Sequence, residues 1–169
     1  MDGRWAAWTT PCADINGRFA GMAAPTPLDL VLLCGTRAPV DGGYRLYTSN
    51  DGGLSYVDRG VVGDGHPVRL VGAADPNRIV ISVNNPGSRT RLLTSQDGGK
   101  TWSPSFESSS GTTDFPGIGD AAFTSSTDGY VLQLQEDAAP MASGFAPHSR
   151  LLLTHDAGRT WTPAKFTRG

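Results

Sequence analysis

No stretch of this chain repeats its apolar residues every three to four positions over any length, so helix is at most a minor component. Charge is sparse: 18% of residues are Asp, Glu, Lys or Arg, the formal net charge is −2, and the 14 Lys and Arg residues are scattered. Nucleic acid and anionic membrane surfaces need clustered positive charge and are not expected as partners. Long apolar runs are missing too. The longest, LDLVLLC around Leu28–Cys34, is far too short to span a bilayer. The start, Asp2-Gly3-Arg4-Trp5, lacks the basic segment and apolar block of a secretory signal.

Residues that usually carry chemistry are also few. The only glutamates are Glu107 and Glu136, both read as loop residues, and the histidines are His66, His148 and His155. No two histidines have metal-ligand spacing, and Cys-x-x-Cys, His-Glu-x-x-His and Gly-x-Ser-x-Gly are all absent. The glycine-rich GVVGDG lacks the Lys and following helix of a phosphate cradle. Neither metal nor cofactor is expected. Cys12 and Cys34 leave two readings open: a disulfide, which would place the protein outside the cytosol, or two free thiols in an apolar setting.

What is abundant is turn chemistry, with 22 Gly and 12 Pro in 169 residues, enough chain for one domain with a sizeable core. One spelling returns three times: TSNDGGLSY at 48–56, TSQDGGKTW at 94–102 and THDAGRTW at 154–161. Its aspartates, Asp51, Asp97 and Asp156, stand 46 and 59 residues apart. A period of about 40–50 residues is that of a four-stranded propeller blade. Each copy lies between two β-rich runs, and two more such runs precede each pair, giving strands A to D with the motif at the C–D turn. In the middle unit these are VRLVGA, RIVISV, TRLLTS and TWSPSF. Three units follow, at 18–59, 66–106 and 118–166. In an up-and-down sheet the compact A–B and C–D turns share one end. The longer B–C and D–A loops (36–43, 84–89 and 135–149; 61–66 and 107–119) share the other.

The motif's spelling has local physical reasons. An Asp side chain accepts hydrogen bonds from amides just ahead of it, Gly at the fifth position permits positive φ, and the closing aromatic packs on a neighbouring sheet. The three segments resemble Asp boxes, or BNR repeats, of sialidase-like and related assembly-factor propellers. Ser95, Asp97, Gly99, Thr101 and Trp102 match that pattern in full; Thr154, Asp156, Gly158, Thr160 and Trp161 match with Thr at the start; Ser49, Asp51, Gly53, Ser55 and Tyr56 depart in the final Tyr. The resemblance covers nearly the whole chain. It implies an all-β propeller in which these residues are structural and remote from any catalytic centre.

Three units do not make a ring, since propellers close with about 4–8 blades. Residues 1–17 are expected to hold the outer strand of a preceding blade, with RWAAWTTPC (4–12) as strand D. The favoured arrangements are part of a longer propeller or a ring completed by a second copy. A sialidase would, by the resemblance, need an arginine cluster, a Tyr/Glu pair, an Asp acid/base and a Phe/Tyr-Arg-Ile-Pro segment; the last does not occur. The loop-bearing end carries the candidate ligand residues Arg37, Asp41, Asp64, His66, Arg89, Asp114, Glu136, Asp137 and His148. The first expectation is a non-catalytic, extracytoplasmic scaffold for a protein or glycan, with no catalytic residue. The alternative is a glycoside hydrolase with part of its machinery outside this chain, its carboxylates drawn from these loops.

Overall fold

The computed structural model describes residues 8–36, 43–63, 66–84, 90–107, 118–135 and 148–166. Among them there is no helix, and every regular element is a strand. β1 (Arg18–Ala23), β2 (Leu30–Gly35), β3 (Tyr44–Ser49) and β4 (Val57–Val62) form the first sheet. β5 (Val68–Ala73), β6 (Ile79–Asn84), β7 (Thr90–Ser95) and β8 (Ser103–Glu107) form the second. β9 (Ile118–Phe123), β10 (Gly129–Gln135), β11 (His148–Thr154) and β12 (Thr162–Pro163) form the third. Each sheet pairs its strands antiparallel in chain order, and none closes into a barrel.

The second strands of the first two sheets show why the chain stacks its sheets. In β6, Ile79, Val80, Ile81 and Ser82 are all 0% exposed, so both faces are covered. Continuous apolar runs such as VLLC and IVIS suit that place, where alternation would strand polar groups. One apolar cluster lies between the first and second sheets, joining Val31, Leu33 and Leu46 to Ile79, Ile81 and Val83. A second lies between the second and third, joining Val80 and Leu92 to Val131, Leu152 and Trp161. Each fully buried Leu, Ile or Val contributes roughly 1.5–3 kcal/mol. The first strands also lie side by side, β1 against β5 and β5 against β9.

The far face of the first sheet is covered from within the chain. Cys12 forms a disulfide with Cys34 of β2, the two Cα atoms 5.3 Å apart, and packs with Leu32, Tyr47 and Ile15. The strand expected over 4–12 does not form in its described part: Trp8–Thr10 carry no strand, and Pro11–Asn16 turn. Pro11 has no N–H to give a ladder. Instead the Ala13, Asn16 and Gly17 amides bond back to Thr10, Ala13 and Cys12 carbonyls.

The expected strand ends also move. Val61 and Val62, read as loop, extend β4, because Arg45 and Tyr44 pair with them and Val62 is buried. Glu107, read as loop, ends β8 opposite Arg91, an oppositely charged cross-strand pair. Gln135 and His148, read as loop, pair with each other and lengthen the β10–β11 hairpin. Cross-strand partners decide each of these ends.

The bridge joins positions 22 residues apart. Cys12→Ser with Cys34→Ser is expected to lower unfolding stability by about 3 kcal/mol. Urea titration of the double variant, beside oxidised wild type, measures it.

Candidate functional site

The three motif turns repeat one hydrogen-bond pattern. In the second sheet the Thr101 amide donates to Asp97 Oδ1 at 2.9 Å and the Thr101 hydroxyl to Asp97 Oδ2 at 2.6 Å. The Ser95 hydroxyl donates to Asp97 Oδ1 at 2.8 Å and accepts from the Gly99 amide at 2.8 Å. Ser49, Asp51, Gly53 and Ser55 repeat these contacts in the first sheet. Thr154, Asp156, Gly158 and Thr160 do so in the third. Both oxygens of every motif carboxylate are thereby engaged within its own turn.

These contacts set the acidity of the three groups. The Thr101 hydroxyl and amide, with Ser95 behind them, lower Asp97 to about 2. The Ser55 hydroxyl and amide, then Ser49, hold Asp51 well below the usual carboxylate range. Burial works to raise Asp156, but the Thr160 and Thr154 hydrogen bonds outweigh it and its pKa is lowered. A carboxylate stabilised in this way is a poor proton donor near neutral pH.

Two positions in each turn are left-handed, not only the fifth. Gly98 and Gly99 have φ of 76° and 89°, and in the third sheet Ala157 takes the first of the pair at 60°. The fourth-position amide explains the requirement. It turns away from the motif to bond the neighbouring A–B turn: Gly52 to Leu28 O, Gly98 to Asn77 O, Ala157 to Thr127 O, each at 2.8–2.9 Å. Those bonds place the A–B and C–D turns together at one end of every sheet.

The second and third motifs are also joints to the sheet before them. A Cβ on Gly99 would stand 2.6 Å from Leu46 of the first sheet, and one on Gly158 2.4 Å from Val80 of the second. Trp102 packs into the cluster between the first two sheets, and Trp161 is 8% exposed in the next. The Trp161 indole donates to Ser105 Oγ at 3.2 Å. Ser105 is skipped by the pairing of β8 with β7, as Arg59 is in β4, and Arg59 lies against Gly98 and Gly99. Sequence reasoning missed this bulge-to-motif joint, and an isolated Arg or Ser in a last strand gives no signal for it. Tyr56, which closes the divergent first copy, meets the Trp8 ring, centroids 6.3 Å apart.

A further clamp holds the third sheet's turns. Asp128 accepts from the Ser125 hydroxyl at 2.6 Å and stands 2.7 Å from His155 Nδ1. These contacts, Ser125 first, bring Asp128 to about 2. His155 is thus a turn contact.

Of the candidate ligand residues, Arg37, Asp41, Asp64, Arg89, Asp114, Glu136 and Asp137 lie outside the described residues. His66 follows the β4 end, its amide bonded to Gly63 O at 2.8 Å, and His148 opens β11. Among the described residues no three His, Cys, Asp or Glu side chains come together. No helix there is long and apolar enough to cross a membrane. A cavity of about 200 Å³ opens where β1, β5 and β9 converge at the A–B turn end, lined by Met22, Pro25, Gly72, Ala121 and Phe123 among others. No lining residue titrates, and the volume falls below the roughly 300–1,000 Å³ of ligand pockets.

No family model matches the chain, and no curated protein matches it.

Ser95 is 1% exposed, so Ser95→Ala leaves the Gly99 amide and Asp97 short of a partner. It is expected to cost roughly 1–3 kcal/mol, read from the urea midpoint. A second measurement follows acid. Asp97 is depressed to about 2 when folded, against about 3.9 unfolded. Between those values the unfolded chain binds more protons, so stability rises with pH there and is lost as pH falls toward 2. Asp97→Asn should make this acid limb shallower; a limb as steep as wild type would remove Asp97 from the turn's stability.

Proposed function

We propose that the three sheets are Asp-box blades of a sialidase-like β-propeller, and that the protein is a non-catalytic binding or assembly scaffold. Its B–C and D–A loops are the surface offered to a protein or glycan. The observation that carries this reading is the full engagement of the motif carboxylates: both oxygens of Asp51, Asp97 and Asp156 are spent on their own turns. Side-by-side first strands and front-to-back stacking in the same direction support the propeller. Compact turns at one end leave the opposite end to the longer loops, where binding residues concentrate on rigid scaffolds. The Cys12–Cys34 bridge supports a location outside the reducing cytosol, whether secreted, periplasmic or at the cell surface.

The test uses a panel of 4-methylumbelliferyl glycosides, including the sialoside, and immobilised sialylated and neutral glycans. No turnover is expected on any of the substrates. Glycan retention, where seen, should fall at least about tenfold in Arg37→Ala or Arg89→Ala with the melting midpoint unchanged. Turnover that disappears in Asp114→Asn or Glu136→Gln would overturn the scaffold reading in favour of a glycosidase.

A further inference from the structure

The first motif meets a different kind of neighbour from the other two. The second motif faces Leu46 and the third Val80, each fully buried on a strand of another sheet. The first faces Trp8: a Cβ on Gly53 would stand 3.0 Å from the Trp8 indole nitrogen. Trp8 is 44% exposed and belongs to residues 8–17, a segment that contains no strand. The segment's amide bonds, from Ala13 to Thr10, Asn16 to Ala13 and Gly17 to Cys12, all stay inside it. None pairs it with the sheet it covers.

Cys12 and Ile15 join the segment to the cluster of Leu32, Cys34 and Tyr47. Pro11 is buried as well, while Ala13, Asp14 and Asn16 are exposed. A small apolar area and one covalent bond, Cys12–Cys34, therefore hold the segment down. Covering also leaves a polar group stranded. The Tyr56 hydroxyl, packed on the same cluster, is buried with no hydrogen-bond partner, a cost that water would remove. The sheet beneath has its own support. β2 pairs with β1 and β3 along its length, and its Val31 and Leu33 pack against the second sheet. A unit with few backbone and apolar contacts opens separately from a laddered core of this kind.

We propose that residues 8–17 are a redox-gated strap. With the Cys12–Cys34 bridge closed they cover the first sheet; with it reduced they lift from the Leu32–Tyr47–Tyr56 face while the three sheets stay folded. The chemistry is thiol–disulfide exchange with a dithiol. One thiolate of the dithiol attacks a bridge sulfur and displaces the other as thiolate, which takes up a proton. The second thiolate of the dithiol then attacks the mixed disulfide, leaving the reagent as a disulfide and the protein with both thiols. Two electrons and two protons thus pass from the dithiol to the bridge. Cys12 is 2% and Cys34 0% exposed, so the attack waits for the strap to open locally. This device does not depend on the scaffold reading.

Hydrogen exchange read by mass spectrometry, on the full chain oxidised and after dithiothreitol, tests it. Reduction is expected to speed exchange across residues 11–17 at least about tenfold and to leave β2, β3, β6 and β7 protected. Cys12→Ser gives a second reading without reductant: Cys34 should then be alkylated by iodoacetamide in native buffer. The rate of bridge reduction should stay nearly flat in urea below the unfolding midpoint, since only the strap has to open. Residues 11–17 as protected after reduction as before, or a Cys34 that resists alkylation in Cys12→Ser, would overturn the proposal. So would loss of the sheet circular dichroism in the reduced chain or in Cys12→Ser, or a reduction rate that climbs with urea as steeply as global unfolding.

Discussion

One arrangement organises the molecule: a carboxylate that accepts the amide and hydroxyl of the residue four positions on, while a hydroxyl two positions before it accepts the amide of the motif glycine. A tight link between adjacent strands strands amides that water would otherwise satisfy, and burial against a neighbouring sheet removes that water. The motif supplies acceptors from within seven residues of chain. Because the turn is satisfied internally, its outer surface is free to be pressed onto another sheet. Glycine at the fifth position completes the device, since a Cβ at Gly99 or Gly158 would enter Leu46 or Val80.

Satisfying the turn locally has a consequence for chemistry. Hydrogen bonds that favour the charged form hold Asp51, Asp97 and Asp156 ionised far below neutral pH. Groups with that acidity and no free oxygen are suited to holding backbone in place, and poorly suited to exchanging protons with a substrate. The proposed scaffold reading accordingly assigns binding to the other end of the sheets, where the connecting sequences are longer. The division of labour comes from strand order alone: antiparallel neighbours in sequence must alternate ends.

The inter-sheet joints are less uniform than the turns. Trp161 reaches Ser105, Trp102 instead donates to its own Gly99 carbonyl at 3.1 Å, and Tyr56 meets Trp8. The aromatic ring contributes contact area in each case, while the polar end differs: a bulge serine for Trp161, the motif's own carbonyl for Trp102 and no partner for the Tyr56 hydroxyl. With the buried Tyr56 hydroxyl, Ser82 is one of two exceptions among the described residues: its own hydroxyl is fully buried between the second and third sheets without a hydrogen-bond partner. The structure gives it no evident role.

Much of this was legible beforehand because the relevant physics is local. Strand period, turn formers and the spacing of Ser95, Asp97, Gly99 and Thr101 act within a few residues, so the chain alone determined three four-stranded units and the interior wiring of their turns. Strand ends were not local. Val62, Glu107 and His148 became strand because a partner across the sheet was long enough to pair with them. Nor could spacing decide between two thiols and a bridge, since that rests on the separation of Cys12 and Cys34 in space. The joints of Arg59 and Ser105 and the covered face of the first sheet likewise belong to tertiary structure. They depend on which sheet lies against which, and contacts between residues some fifty positions apart leave no mark on either segment alone.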